Sequence, residues 1–131
     1  MSQDYRDFHL NLLKVAYNNL LAQPPFNQDD INSVDIEFID QFKALVSSFE
    51  DVCVDMETGQ RLLARIPHAY PELTPLMPRD LFWFFGGECL HFMPDDEIQA
   101  YQQLDEARFE AADAGQPFNY EDTRAKLLGL H

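Results

Sequence analysis

The sequence predicts an all-α fold: a compact single-domain bundle of five or six helices spanning residues 1–131, with no sheet. Three observations predict it. Apolar residues recur at three- and four-residue steps in every long segment, the spacing that gathers them on one helix face. Strand-like alternation is rare. Proline opens and glycine follows successive periodic segments, which is the asymmetry of helix punctuation.

The first helix is expected from Gln3 to Ala22, capped by Ser2. Tyr5, Phe8, Leu12, Leu13, Ala16 and Leu20 fall on one face, and Pro24-Pro25 stops it because proline clashes with a continuing turn. The loop Phe26-Asn27-Gln28-Asp29-Asp30 is polar apart from one anchor, Phe26. The second helix takes Ser33 as cap and carries Asp35 and Glu37 in a first turn that suits the helix dipole. Phe38, Ile39, Phe42, Leu45, Val46, Phe49, Val52 and Cys53 form its apolar stripe. Glu37, Asp40, Glu50 and Asp51 form its outer face.

A break at Asp55 to Gly59 precedes a third helix centred on Gln60 to Ile66. Pro67, Pro71, Pro75 and Pro78 then forbid a long helix and leave room for one short turn at His68 to Leu73. Pro78 opens a fourth helix that carries the aromatic segment. Pro94 opens a fifth, with Asp95, Asp96 and Glu97 in its first turn and Gly115 past its end. Ile98, Tyr101, Leu104, Phe109 and Ala112 supply its inner face. A short last helix runs from Tyr120 to Leu128, capped by Asn119 and terminated by Gly129.

Length and composition bound the function. At 131 residues, 46% of them hydrophobic, the chain has the length of one domain and the material for its core. A domain of this size buries roughly two-thirds of its unfolded surface, so no metal or disulfide staple is required. Cys53 and Cys89 belong to no Cys-x-x-Cys and read as reduced core thiols. The N-terminus lacks the basic start and apolar run of a signal peptide. No apolar run approaches the roughly 20 residues that span a bilayer. The expected location is the cytoplasm.

The formal charge of −14, from 23 acids against 9 bases, argues against direct nucleic-acid binding, which needs Lys and Arg to displace counterions from phosphates. It argues equally against anionic membranes and permits a basic protein partner.

The chemistry-bearing residues concentrate in Leu81 to Met93. Glu88 and His91 sit three apart and share a helix face, the ligand pair that carboxylate-bridged di-iron bundles use twice. Such a centre needs a second pair and two further carboxylates from other helices, and the sequence has no second Glu-x-x-His and no Asp or Glu at a clearly apolar position of the first or second helix. Glu88 and His91 are therefore the residual metal candidates, and the expected reading is no metal and no cofactor. Cys89 beside His91 invites a nucleophile, but its neighbours are acidic and apolar, whereas a reactive thiol needs a positive setting. His9 neighbours Phe8 on the flank of the first helix's stripe, His68 lies in the proline connector and His131 is the last residue; none has sequence-local partners, and no catalytic residue is assigned. Gly86-Gly87 follows no strand and precedes no Lys, so it is no phosphate loop. A kink or a close helix approach is its expected use.

Phe82, Trp83, Phe84 and Phe85 are consecutive and point around most of a helix. Either the fourth helix is central in the bundle, or another chain covers part of it. The second alternative makes Phe82, Trp83, Phe85 and Phe92 interface candidates and a homodimer an expectation.

The run Leu81 to Pro94 with its continuation Asp95-Asp96-Glu97-Ile98 resembles a family of small proteobacterial proteins with no assigned function. The resemblance implies a bacterial cytosolic protein and supplies no activity, ligand or residue role. The sequence thus favours binding over catalysis: an acidic helical regulator or adaptor that contacts another protein. The alternatives are a small metal- or cofactor-dependent enzyme using Glu88 and His91, and an acidic mimic of nucleic acid.

Overall fold

A computed structural model describes residues 2–51 and 53–129. The described residues form helices joined by turns and contain no strand. Among the described residues there are eight helical segments rather than five or six: six α-helices and two 3₁₀ helices. The α-helices are α1 (Gln3–Leu21), α2 (Ser33–Asp51), α3 (Met56–Ala69), α4 (Arg79–Phe85), α5 (Asp95–Asp113) and α6 (Tyr120–Leu127). The 3₁₀ helices are Pro71–Leu76 and Gly87–Phe92. No described helix is long and apolar enough to cross a membrane. The chain falls into two compact units, residues 1–92 and residues 93–131.

In the first unit α1 packs on α2 and α4, and α3 packs on α2, α4 and both 3₁₀ helices. Ser2 caps α1 by accepting the Tyr5 amide at 3.3 Å. Tyr5, Leu10, Leu13, Ala16 and Leu20 are buried, while the expected Phe8 and Leu12 are only half-buried. The inner face also takes in His9, which is fully buried although its place beside the stripe predicted a flank. Its ring stacks on Phe84 with centroids 4.5 Å apart, and Tyr5 and Phe8 lie at 4.4 and 5.1 Å. Nδ1 donates to the Tyr5 carbonyl at 2.8 Å, so this nitrogen carries the proton.

The cap of α2 is Asn32, one residue before the expected Ser33: its side chain accepts the Asp35 amide at 2.8 Å. Phe38, Ile39, Phe42, Leu45 and Phe49 are buried as a stripe, and Val46 is half-buried. Cys53 is exposed, because the helix ends at Asp51 before the stripe reaches it. Val52 lies outside the described residues. Phe26 anchors its loop against Phe38 and Tyr70, with centroids 5.8 and 5.1 Å apart.

The break expected at Asp55 to Gly59 is instead the first turn of α3. Asp55 caps it by accepting the Thr58 amide at 3.1 Å, and Gly59 lies inside the helix. Gly59 is there for space: a Cβ at this position would overlap the Phe85 ring. Pro67 falls in the last turn of α3 rather than after it, and the helix survives two residues beyond. The proline-rich connector becomes a 3₁₀ helix with Leu73 buried, a geometry that short segments reach with i→i+3 bonds.

In the second unit α5 packs on α6. Gly115, at φ +65°, ends α5 by placing the Gln116 amide on the Ala111 carbonyl at 2.9 Å. Tyr101 and Leu104 are buried. Phe109 and Ala112 depart from expectation: Phe109 is 55% exposed, with the Arg108 guanidinium 4.4 Å over its ring. Asn119 caps α6 by accepting the Asp122 amide at 3.0 Å, as expected.

Two substitutions test this packing. Phe49 is fully buried against Phe84 at 5.7 Å and carries the Arg6 guanidinium 5.1 Å over its ring. Phe49→Ala is expected to lower the unfolding free energy by about 3–5 kcal/mol in urea titration. Gly59→Ala ordinarily gains up to about 1 kcal/mol in a helix interior. Here the added methyl meets the Phe85 ring, and overpacking costs about 1–3 kcal/mol. The urea midpoint is therefore expected to fall, and a rise would show that the ring is not seated there.

Candidate functional site

The aromatic segment is divided rather than continuous. α4 ends at Phe85, where Gly86 takes φ +67° and Gly87 φ +59°, and the chain re-enters a 3₁₀ helix at Gly87. L-residues with a side chain rarely adopt such angles, so the pair acts as a corner. Phe82 is 0% and Phe85 1% exposed, and Phe84 is buried. α4 is central, with Phe84 facing His9 and Phe49, Phe85 seated on α3, and Phe82 beside Phe92 at 6.1 Å. Of the four interface candidates, Phe82 and Phe85 are covered by the chain itself and have no surface left for a partner. Trp83 and Phe92 are half-buried.

Polar contacts fix the corner. The Gln60 amide donates to the Phe85 carbonyl at 2.7 Å and satisfies the end of α4. The Cys89 thiol is 3.5 Å from the Gln60 carbonyl. Arg79 donates to the Phe92 carbonyl at 2.6 Å and lies 5.3 Å over the Phe82 ring, tying the end of the 3₁₀ helix to the start of α4. Cys89 is buried, and that burial pushes its thiol up to about 11. It is a neutral core residue.

Glu88 and His91 are both exposed on the 3₁₀ helix Gly87–Phe92. Among the described residues no group of three or more His, Cys, Asp or Glu side chains could hold a metal ion. The structure instead brings Glu88 to an open groove of about 460 Å³ on α3, and His91 does not line it. The other principal lining residues are Glu57, Gln60, Arg61, Arg65 and His68.

These α3 residues are the ones that sequence reasoning missed. Glu57, Arg61, Arg65 and His68 recur at steps of four, four and three, which was a readable signal for one helix face. α3 carries two arginines against one glutamate, the only helical segment of the described chain with a positive balance. Each of these side chains is held by a contact that leaves it in the groove. Arg61 Nη1 donates to Gln41 Oε1 at 3.3 Å. The Arg65 guanidinium lies 5.4 Å from the Phe38 ring centroid. The His68 ring meets Phe92 edge-on at 5.5 Å. Arg65 also lies beside Tyr70, whose hydroxyl donates to Asp35 Oδ1 at 2.5 Å. Burial and that carboxylate push the Tyr70 phenol up to about 12 against the opposing pull of Arg65.

The raised thiol and phenol have consequences in alkali. Both groups are neutral in the folded chain at pH values where the unfolded chain has begun to ionise. Their contribution is complete below the unfolded values of 9.0 and 10.0 and is lost as pH climbs toward about 11 and 12. The thermal midpoint is expected to fall steadily above about pH 9, and Cys89→Ala should flatten the first part of that fall. At pH 8 a colorimetric thiol reagent is expected to titrate one cysteine, the exposed Cys53, in native protein and both in urea.

No curated protein and no solved structure matches this chain. A family model does, and it spans the whole sequence. With residues 1–131 matched, the chain belongs to the PA2817-like family.

Proposed function

We propose that this protein is a protein-binding regulator or adaptor with a basic partner. The observation that carries the reading is the segregation of charge on its helices. The exposed face of α2 bears Glu37, Asp40, Glu50 and Asp51 against Lys43. Lys14 reaches Glu50 at 2.7 Å, but an exposed pair of this kind is worth little. α5 exposes Asp95, Asp96, Glu106, Glu110 and Asp113. Such faces raise the encounter rate with a basic surface and suppress acidic partners. Free Cys53 and Cys89 accord with a reducing, cytoplasmic setting.

The reading is tested by cross-linked pull-down from the source cell with wild-type protein and the double variant Glu37→Lys, Asp40→Lys. Both positions are exposed, so the variant should fold. A basic protein recovered by wild type, lost from the variant and lost at about 0.5 M salt is the expected result, since screening acts over about 8 Å or less there. Equal recovery by both proteins would exclude α2 as the docking face.

A further inference from the structure

We propose that the α3 groove binds a small ligand carrying a carboxylate at one end and an ammonium group at the other. The site needs no macromolecular partner and is independent of the acidic faces of α2 and α5.

Arg61 and Arg65 are the reason for the carboxylate. They stand four residues apart on one face of α3 and open on the same groove. Among the described residues neither guanidinium has a carboxylate within 4.0 Å, although acids outnumber bases 23 to 9 in this chain. Guanidinium forks match a carboxylate in two parallel hydrogen bonds. Gln41 uses one Arg61 donor, Phe38 takes the face of the Arg65 group and the Tyr70 hydroxyl meets part of its edge, which leaves further donors on both five-donor forks. Contacts that hold the side chains before a ligand arrives reduce the ordering cost of binding.

Glu57 and Glu88 are the reason for the ammonium group. Glu57 lies one turn before Arg61 on the same helix, and Glu88 enters from the 3₁₀ helix. A groove with two carboxylates on its walls repels a dianion, and its arginines repel a simple amine. A ligand of both signs meets both sets. Glu57 and Arg61 lie one helical turn apart, about 6 Å along the axis, so a ligand whose two charges are separated by a comparable distance can meet both. A zwitterion has no net charge, so the field of a −14 protein does not keep it away. The open groove, about 460 Å³, has room for a small ligand of this kind.

The test is an amide NMR titration of the full chain with four probes: 5-aminopentanoate, glutarate, pentylamine and inorganic phosphate. 5-Aminopentanoate is expected to give saturable shifts confined to residues 57–68 and 86–89, with an affinity about tenfold or more above the other three. Arg61→Gln, at an exposed position, should weaken it about tenfold or more, as loss of a charged hydrogen-bond donor does. Lys43→Gln, which removes an exposed cation on α2 outside the groove, should leave it unchanged. No saturable shift up to about 20 mM, glutarate or phosphate binding as tightly as 5-aminopentanoate, or equal loss in Lys43→Gln would each overturn the assignment.

Discussion

The seat of Phe85 on Gly59 is the contact on which the first unit depends. Phe85 is the last residue of α4, and its ring occupies the volume where any other residue at position 59 would carry a Cβ. A glycine inside a helix costs up to about 1 kcal/mol relative to alanine. Burying an aromatic ring returns about 1.5–3 kcal/mol, so the exchange is favourable. The same approach brings the Phe85 carbonyl to Gln60 and the Cys89 thiol to the Gln60 backbone. Helix end, corner and 3₁₀ helix are therefore registered against α3 together. Once α4 is placed, Phe84 reaches His9 and Phe49, and α1 and α2 join the same aromatic cluster.

The corner at Gly86-Gly87 resolves the puzzle of four consecutive aromatics. A long helix would turn them around its whole circumference and leave some in water. A seven-residue helix surrounded by α1, α3 and the following 3₁₀ helix buries three of the four. The chain can leave α4 sharply because both glycines adopt positive φ. Local backbone freedom thus decides whether the aromatics are core or surface, and it decides for core at Phe82, Phe84 and Phe85.

Much of this was legible in the sequence, and the limits were physical. Caps and stops were readable because they depend on local chemistry: Ser2, Asn119 and Gly115 do what their residue types dictate. The α2 stripe was readable because Phe38, Phe42, Leu45 and Phe49 repeat at helical spacing. Gly59 was misread as a break because its reason lies 26 residues away in Phe85, beyond any local rule. Phe109 was misread as inner because periodicity assigns a face but not the length over which that face is covered. His9 was placed on a flank because a lone imidazole beside a stripe carries no mark of the aromatic rings that enclose it.

The candidate site shows the same division between local and distant information. Glu88 and His91 were conspicuous because they are adjacent to the aromatic run, yet they end on an exposed 3₁₀ helix with no third ligand among the described residues. Arg61, Arg65 and His68 were inconspicuous because arginines on an exposed helix face are ordinarily only solvated. What distinguishes them is their setting: Gln41, Phe38 and Phe92 hold them at one groove, and Glu88 arrives there from a segment 20 residues later. In a strongly acidic protein an arginine pair with no carboxylate within 4.0 Å among the described residues is a departure from the surrounding electrostatics. Its place on α3, the one helix among the described residues with a positive balance, gives the surface two characters: acidic faces whose field reaches to long range, and a mixed-charge groove whose hydrogen-bonding groups are felt only on contact. Salt weakens the first far more than the second, because exposed charges separated by more than a Debye length are screened while directly hydrogen-bonded groups are not.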